Sequence, residues 1–291
     1  MDFKTLLHKP ELKPALVIGN GINRYNSVDN ESGWDKLLIR LWRKRVGAET
    51  IGIPVGISLT EFYDALDLKG VKQSKSLQAE FCELMSNWPV KEQHKKIVSW
   101  AETNNTPILT TNFENTLSDV LNLKIGHLDS DKFTDFYPWG SFYSNKNITY
   151  VTDDFAIWHI NGVQKYSRSI RLGLSHYMGS VERARPMLHK GSNRLFNSAD
   201  FTNWPGKNTW LNIIFQNDLF IFGLDLGTTE VFLRWLLIER AKFFKIYSEK
   251  KRQAFYIHVG EIQPGQRLFL ESVGIQIVTV VNYDGIYAAP W

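Results

Sequence analysis

Six short runs of unbroken apolar, β-rich sequence punctuate the chain: "ALVIG" at 15–19, "PILT" at 107–110, "FAIWHI" at 155–160, "LFIFGL" at 219–224, "AFYIHV" at 254–259 and "IQIVTVV" at 275–281. Alternating apolar and polar residues would mark strands with one wet face. Continuous runs instead predict strands covered on both faces, as in a parallel sheet. Between them, apolar positions recur at helical spacing in "WDKLLIRLWRKRV", "LQAEFCELMSNW", "EQHKKIVSWAE", "ENTLSDVLN" and "EVFLRWLLIERAKFF". Strands alternating with helices define an α/β chain: a Rossmann-like, mostly parallel sheet with helices on both faces.

The interval between the first two runs, residues 25–106, is far longer than one crossover requires and holds helical patterns without a convincing strand. It predicts a helical sub-domain at roughly 32–100, inserted after the first strand of a single domain spanning 1–291. Two polar stretches, "DSDKFTDFYPWGSFYSNKN" (129–147) and "HKGSNRLFNSADFTNWPGKN" (189–208), are long enough to be functional loops or lids.

Composition narrows the partners. At 291 residues and 43% hydrophobic content the chain can bury a large core. A formal charge of +4, from 34 basic and 30 acidic residues, leaves no basic tract of the kind that tracks a phosphate backbone, so nucleic acid is not the expected partner. "RKR" at 43–45 and "KSLQAE" at 75–80 read as solvated helix faces. Cys82 stands alone, which excludes a disulfide framework and a four-thiolate zinc site and suits a reducing cytoplasm. Charges interrupt the N-terminal "MDFKTLLHKPELK", so it does not read as a signal peptide, and no apolar run approaches the ~20 residues that span a bilayer.

Candidate chemistry gathers where strands end. "PALVIGNGINRYN" (14–26) runs from the first strand into a loop in which Gly19 and Gly21 lack a Cβ, permitting a sharp turn and close approach of a ligand. In "LTTNFENTLSDVL", Asn112 falls where a helix N-cap belongs, and its amide is also suited to sugar hydroxyls or a water. His159 in "FAIWHINGV" ends a strand and can act as a base near neutral pH. In "LFIFGLDLGTTEVFLRWLL", Gly223 and Gly227 flank "LDL", and Thr228 or Thr229 caps the next helix. Asp35, Asp225 and Glu230 are candidate catalytic carboxylates, although no spacing pairs them.

The succession of these motifs, over about residues 14–281, resembles the sirtuin-like superfamily, and specifically its bacterial members that hydrolyse NAD in antiphage defence. The resemblance implies that Gly19, Asn20, Gly21, Ile22 and Asn23 surround the NAD diphosphate. It implies that Thr111 and Asn112 hold the nicotinamide ribose and a water, and that His159 is the catalytic base. "GLSHY" (173–177) resembles a segment downstream of that histidine, and Gly223, Asp225, Leu226 and Glu230 match the adenosine-side loop, Glu230 standing where aspartate is commoner. The zinc ribbon of deacylating sirtuins needs four cysteines, so no metal is expected and deacylation becomes the lesser branch. The implied activity is cleavage of NAD, as substrate, to nicotinamide and ADP-ribose. The alternatives are an NAD-dependent protein deacylase or a non-catalytic NAD- or ADP-ribose-sensing module. An NAD-depleting enzyme needs control, so a homo-oligomer or a separately encoded regulatory partner is expected, with no membrane association.

Overall fold

The computed structural model describes residues 2–27, 32–47 and 52–291. Its centre is an eight-stranded sheet: β1 (Pro14–Ile18), β2 (Ile108–Thr110), β3 (Lys124–His127), β4 (Ser141–Ser144), β5 (Ile157–His159), β6 (Asp218–Phe222), β7 (Ala254–Val259) and β8 (Gln276–Val280). The order across the sheet is β3-β4-β5-β2-β1-β6-β7-β8. Six strands, from β5 to β8 in that order, are parallel, and β4 runs antiparallel to both of its neighbours. All six apolar runs are strands of a Rossmann-like α/β fold.

Side-chain alternation divides each inner strand between two cores. Ala15 and Val17 of β1 point to one, with Trp158, Phe215, Ile221 and Phe243. Leu16 and Ile18 point to the other, with Phe3, Ile97, Ile157 and Phe220. This two-sided burial is why β1, β2 and β6 carry unbroken apolar sequence. The run 275–281 departs from that expectation: β8 is an edge strand, and Gln276 and Thr279 are exposed. Strands β3 and β4 have no counterpart in the apolar pattern. β4 lies inside the polar stretch 129–147, where "SFYS" has too few apolar residues to stand out.

After β1 come helices Trp34–Val46, Leu59–Lys69 and Leu77–Met85, whose apolar faces form a third cluster around Leu66 and Phe81. The following helix, Glu92–Thr103, packs on the sheet instead, through Ile97, Val98 and Ala101. The expectation that 43–45 and 75–80 are solvated faces holds for Arg43, Lys44, Lys75 and Ser76 and is corrected at Arg45 and Glu80. Arg45 and Glu80 are both buried, and Arg45 Nε donates to Glu80 Oε2 at 2.8 Å while Lys44 Nζ reaches Oε1 at 2.7 Å. Packing of the first and third of these helices brings the two charges together, so each supplies the partner that burial demands. Among the described residues, no helix is long and apolar enough to cross a membrane.

Candidate functional site

The parallel register aligns Ile18, Thr110, His159 and Phe222 in one row across β1, β2, β5 and β6. The four strand-end motifs therefore open on the same carboxyl edge of the sheet, the edge where α/β folds bind ligands. Beyond β2 the chain curls back over β1, with Thr111 N–H donating to Ile18 O at 3.1 Å and Asn112 N–H to Thr110 Oγ1 at 3.1 Å.

His159 and Asn112 meet there. His159 Nδ1–H donates to the Asn112 carbonyl at 2.7 Å, which leaves Nε2 as the unprotonated, basic nitrogen. Nε2 is buried and has no hydrogen-bond partner. Burial pushes the imidazole down to about 4, against a smaller upward pull from the Asn112 carbonyl. Asn112 is fully buried, and neither its Nδ2 nor its Oδ1 makes a hydrogen bond of ordinary geometry. Its amide lies near Glu114, whose carboxyl burial drives up and which Asn23, Thr116 and Asn112 hold back. Asn112 is not a helix N-cap: the next helix, Thr116–Asp119, begins four residues later.

The glycine loop serves the fold in a way its sequence did not disclose. Gly19 N–H donates to Phe222 O at 3.0 Å and Gly21 N–H to Gly223 O at 2.6 Å, so the loop is tied to the end of β6. A Cβ on Gly19 would sit 2.6 Å from Gly223 O, and one on Gly21 would sit 2.5 Å from the Tyr287 hydroxyl. The close approach these glycines permit is therefore made by the chain itself. Ile22 is part of the core. Asn20 Nδ2 donates to Ser32 O at 2.6 Å, and Asn23 Nδ2 donates to Asn20 Oδ1 and to Glu114 Oε1 at 2.9 and 2.8 Å. His94, pushed down to about 4 by burial, accepts from Lys91 N–H at Nδ1 and so donates from Nε2 to Asn23 Oδ1 at 3.1 Å. Glu114 and His94 were not singled out in the sequence, since nothing in their spacing marks residues that meet only through folding.

Two hollows flank this network. One, of about 60 Å³, is enclosed by Thr111, Asn161, Arg171, Tyr177 and Glu230 below and by Trp34, Leu38 and Leu59 of the inserted helices above. Asn112 and His159 are not among its walls; His159 lines a separate cavity of about 10 Å³ with Tyr143 and Ser141. The other, of about 160 Å³, lies beyond β1, β6 and β7 and is lined by Gly21, Arg24, Gly223, Asp225 and Tyr256. A larger hollow of about 470 Å³ adjoins it and shares Gly21, Arg24, Tyr283 and Tyr287. Arg171 was not anticipated. It is buried, rests 4.4 Å over the Tyr137 ring and donates to Phe136 O.

The loop after β6 is folded differently from the expectation. Helix Val231–Ile246 starts after Glu230, so neither Thr228 nor Thr229 is its N-cap. Leu226 is buried in the core with φ of 51°, and its carbonyl accepts from Arg234 Nη1 at 2.6 Å. Glu230 reaches the 60 Å³ hollow, and burial, with Asp225 as a like charge, pushes its carboxyl up to about 7.

Because this folded value lies above the ordinary 4.5, Glu230 favours the folded state below about pH 4.5, and that contribution is lost as pH rises through about 7. Glu230→Gln is therefore expected to match the wild type near pH 4.5 and to exceed it by up to about 3 kcal/mol at pH 8. Melting curves across this range measure the gap. A variant less stable than wild type at pH 8 would show that the carboxylate has a stabilising partner.

Buried polar atoms normally find partners. Here Asn112, Glu114, His159, Asn161 and Glu230 each bury at least one polar side-chain atom without one, and all five follow or end strands at this single edge. Fold and edge together define a Rossmann-like α/β protein with buried polar groups and small hollows at the carboxyl ends of its central strands. Comparison with known proteins finds no matching family model and no matching curated protein.

Proposed function

We propose that the protein hydrolyses NAD at the nicotinamide–ribose bond, giving nicotinamide and ADP-ribose. The observation that carries this reading is the His159–Asn112 pair: a neutral imidazole oriented by a carbonyl, with Nε2 unpartnered and the Asn112 carboxamide buried beside Glu114 at the carboxyl edge of the sheet. Cleavage builds an oxocarbenium-like centre while neutral nicotinamide leaves, so positioning outweighs acid strength. Asn112 orients the ribose and a water. His159 Nε2 accepts a proton from that water or from a ribose hydroxyl. The hollows beside Arg24 and Asp225 take the adenosine half. A dinucleotide needs more room than the 60 Å³ hollow or the 10 Å³ cavity at His159, so binding requires the inserted helices that contribute Trp34 and Leu59 to yield and the chain between the two cavities to open. Such an enzyme fits an NAD-depleting effector of antiphage defence, held in check by self-assembly or by a partner chain.

A second reading, a module that senses NAD or ADP-ribose without turnover, draws support from the separation of His159 from the 60 Å³ hollow. Incubation with NAD, with and without an acylated peptide, followed by chromatography of the products, decides between them. Nicotinamide plus ADP-ribose without peptide is the expected result. Bound but intact NAD would favour the sensing module, and peptide-dependent nicotinamide release would indicate a deacylase.

A further inference from the structure

A cavity of about 380 Å³ on the β3–β4 side of the sheet shares no lining residue with the hollows described above. Its walls come from the two long polar stretches, the first supplying residues between 129 and 140 and the second Pro205, with Arg183 and Met187 added by the helix Leu174–His189. The volume falls within the roughly 300–1,000 Å³ typical of small-molecule sites.

One wall is aromatic. Phe133 packs on His127 with ring centroids 4.3 Å apart, and Tyr137 meets Trp139 edge-on at 5.9 Å. Two exposed cations, Lys132 and Arg183, also line the cavity, and neither makes an ion pair among the described residues. The opposing carboxylate, Asp129, already accepts from Asn208 Nδ2 at 3.1 Å. Both ring nitrogens of His127 are engaged, with Ser141 Oγ at 2.7 Å and the Tyr166 hydroxyl at 3.2 Å, so this histidine offers the cavity a ring face and no free donor. The remaining chemistry is a set of aromatic rings inclined to one another beside two cations without ion-pair partners, of which Arg183 lies 5.2 Å from the Tyr137 ring centroid. That combination suits an aromatic ring carrying a compact anion.

We infer that this cavity binds a small anionic aromatic ligand of the nucleoside monophosphate class, its base against the exposed ring of Phe133 and its phosphate between Lys132 and Arg183. The site is independent of the NAD reading. The test is calorimetric titration of the full chain with the four nucleoside monophosphates, adenosine and inorganic phosphate, together with photolabelling by 8-azido-AMP and peptide mapping. At least one monophosphate is expected to bind, with adenosine and phosphate each weaker by about tenfold or more, since each lacks half of the recognition. The label is expected in residues 129–140 or 183–187. Lys132→Ala combined with Arg183→Ala should remove that label with no change in melting temperature, because both side chains are exposed. The proposal is overturned if no monophosphate binds, if phosphate alone binds equally well, if the double variant retains the label, or if the label falls only around Arg24 and Tyr283.

Discussion

His159→Ala is expected to lower NAD cleavage by about 100- to 10,000-fold, the range associated with loss of a positioned base. Asn112→Ala should do the same through loss of ribose and water positioning. Each variant should still fold, with thermal unfolding and circular dichroism as the control, because the sheet around them is held by β1, β2, β5 and β6 pairing rather than by these side chains. Retained activity in both would sink the assignment.

The protonation state adds an independent check. With His159 pushed down to about 4, the basic form is already complete at neutral pH, so the rate should not rise through the ordinary histidine range. It should fall only as pH approaches 4. The same depression sets the sign of an acid effect on stability. The unfolded chain protonates its histidines near 6.5 while His159 and His94 stay neutral to about 4 in the fold. Stability is therefore present above pH 6.5 and lost between 6.5 and 4, by up to about 3 kcal/mol per residue. His159→Ala should make this acid loss shallower.

Gly19→Ala is expected to destabilise the protein by about 3 kcal/mol or more, seen as a melting temperature lower by on the order of 10 °C. The added Cβ would lie 2.6 Å from Gly223 O and 2.8 Å from Leu224 Cα, and both are backbone atoms. That backbone cannot retreat cheaply, since Gly223 O is also the acceptor for Gly21 N–H at 2.6 Å. If instead Gly19 chiefly made space for a ligand, the variant would melt normally and lose only ligand affinity. Denaturation without ligand, beside an NAD titration, distinguishes the two roles of this glycine.

Strand-end chemistry was legible for a simple reason. A buried parallel strand must be apolar on both faces, so "PILT" and "FAIWHI" announce where they stop, and Asn112 and His159 stand at those stops. The partners of those residues were not legible. Glu114 and His94 join Asn23 from positions 91 and 71 residues away, meetings that exist only once β2 pairs with β1 and the helix Glu92–Thr103 docks on the sheet. Arg171 lines the hollow with its guanidinium over Tyr137 and bonded to Phe136 O, both supplied by the distant 129–147 stretch. The antiparallel strands β3 and β4 are not marked by apolar runs: β3 is a half-exposed edge strand, and β4, although buried between β3 and β5, is only four residues long and begins and ends on serine.

The sequence by itself determined the α/β class, the six strands of the parallel portion and the points along the chain where polar chemistry begins, because periodicity and burial are local properties of the chain. Tertiary structure alone decided what each of those residues faces. Gly19 and Gly21 meet Gly223 and Tyr287, Arg45 meets a buried Glu80, and His159 donates its Nδ1–H to the Asn112 carbonyl while Nε2 stays free. These pairings join residues far apart in the chain, and their energies arise only when packing removes water from both members at once.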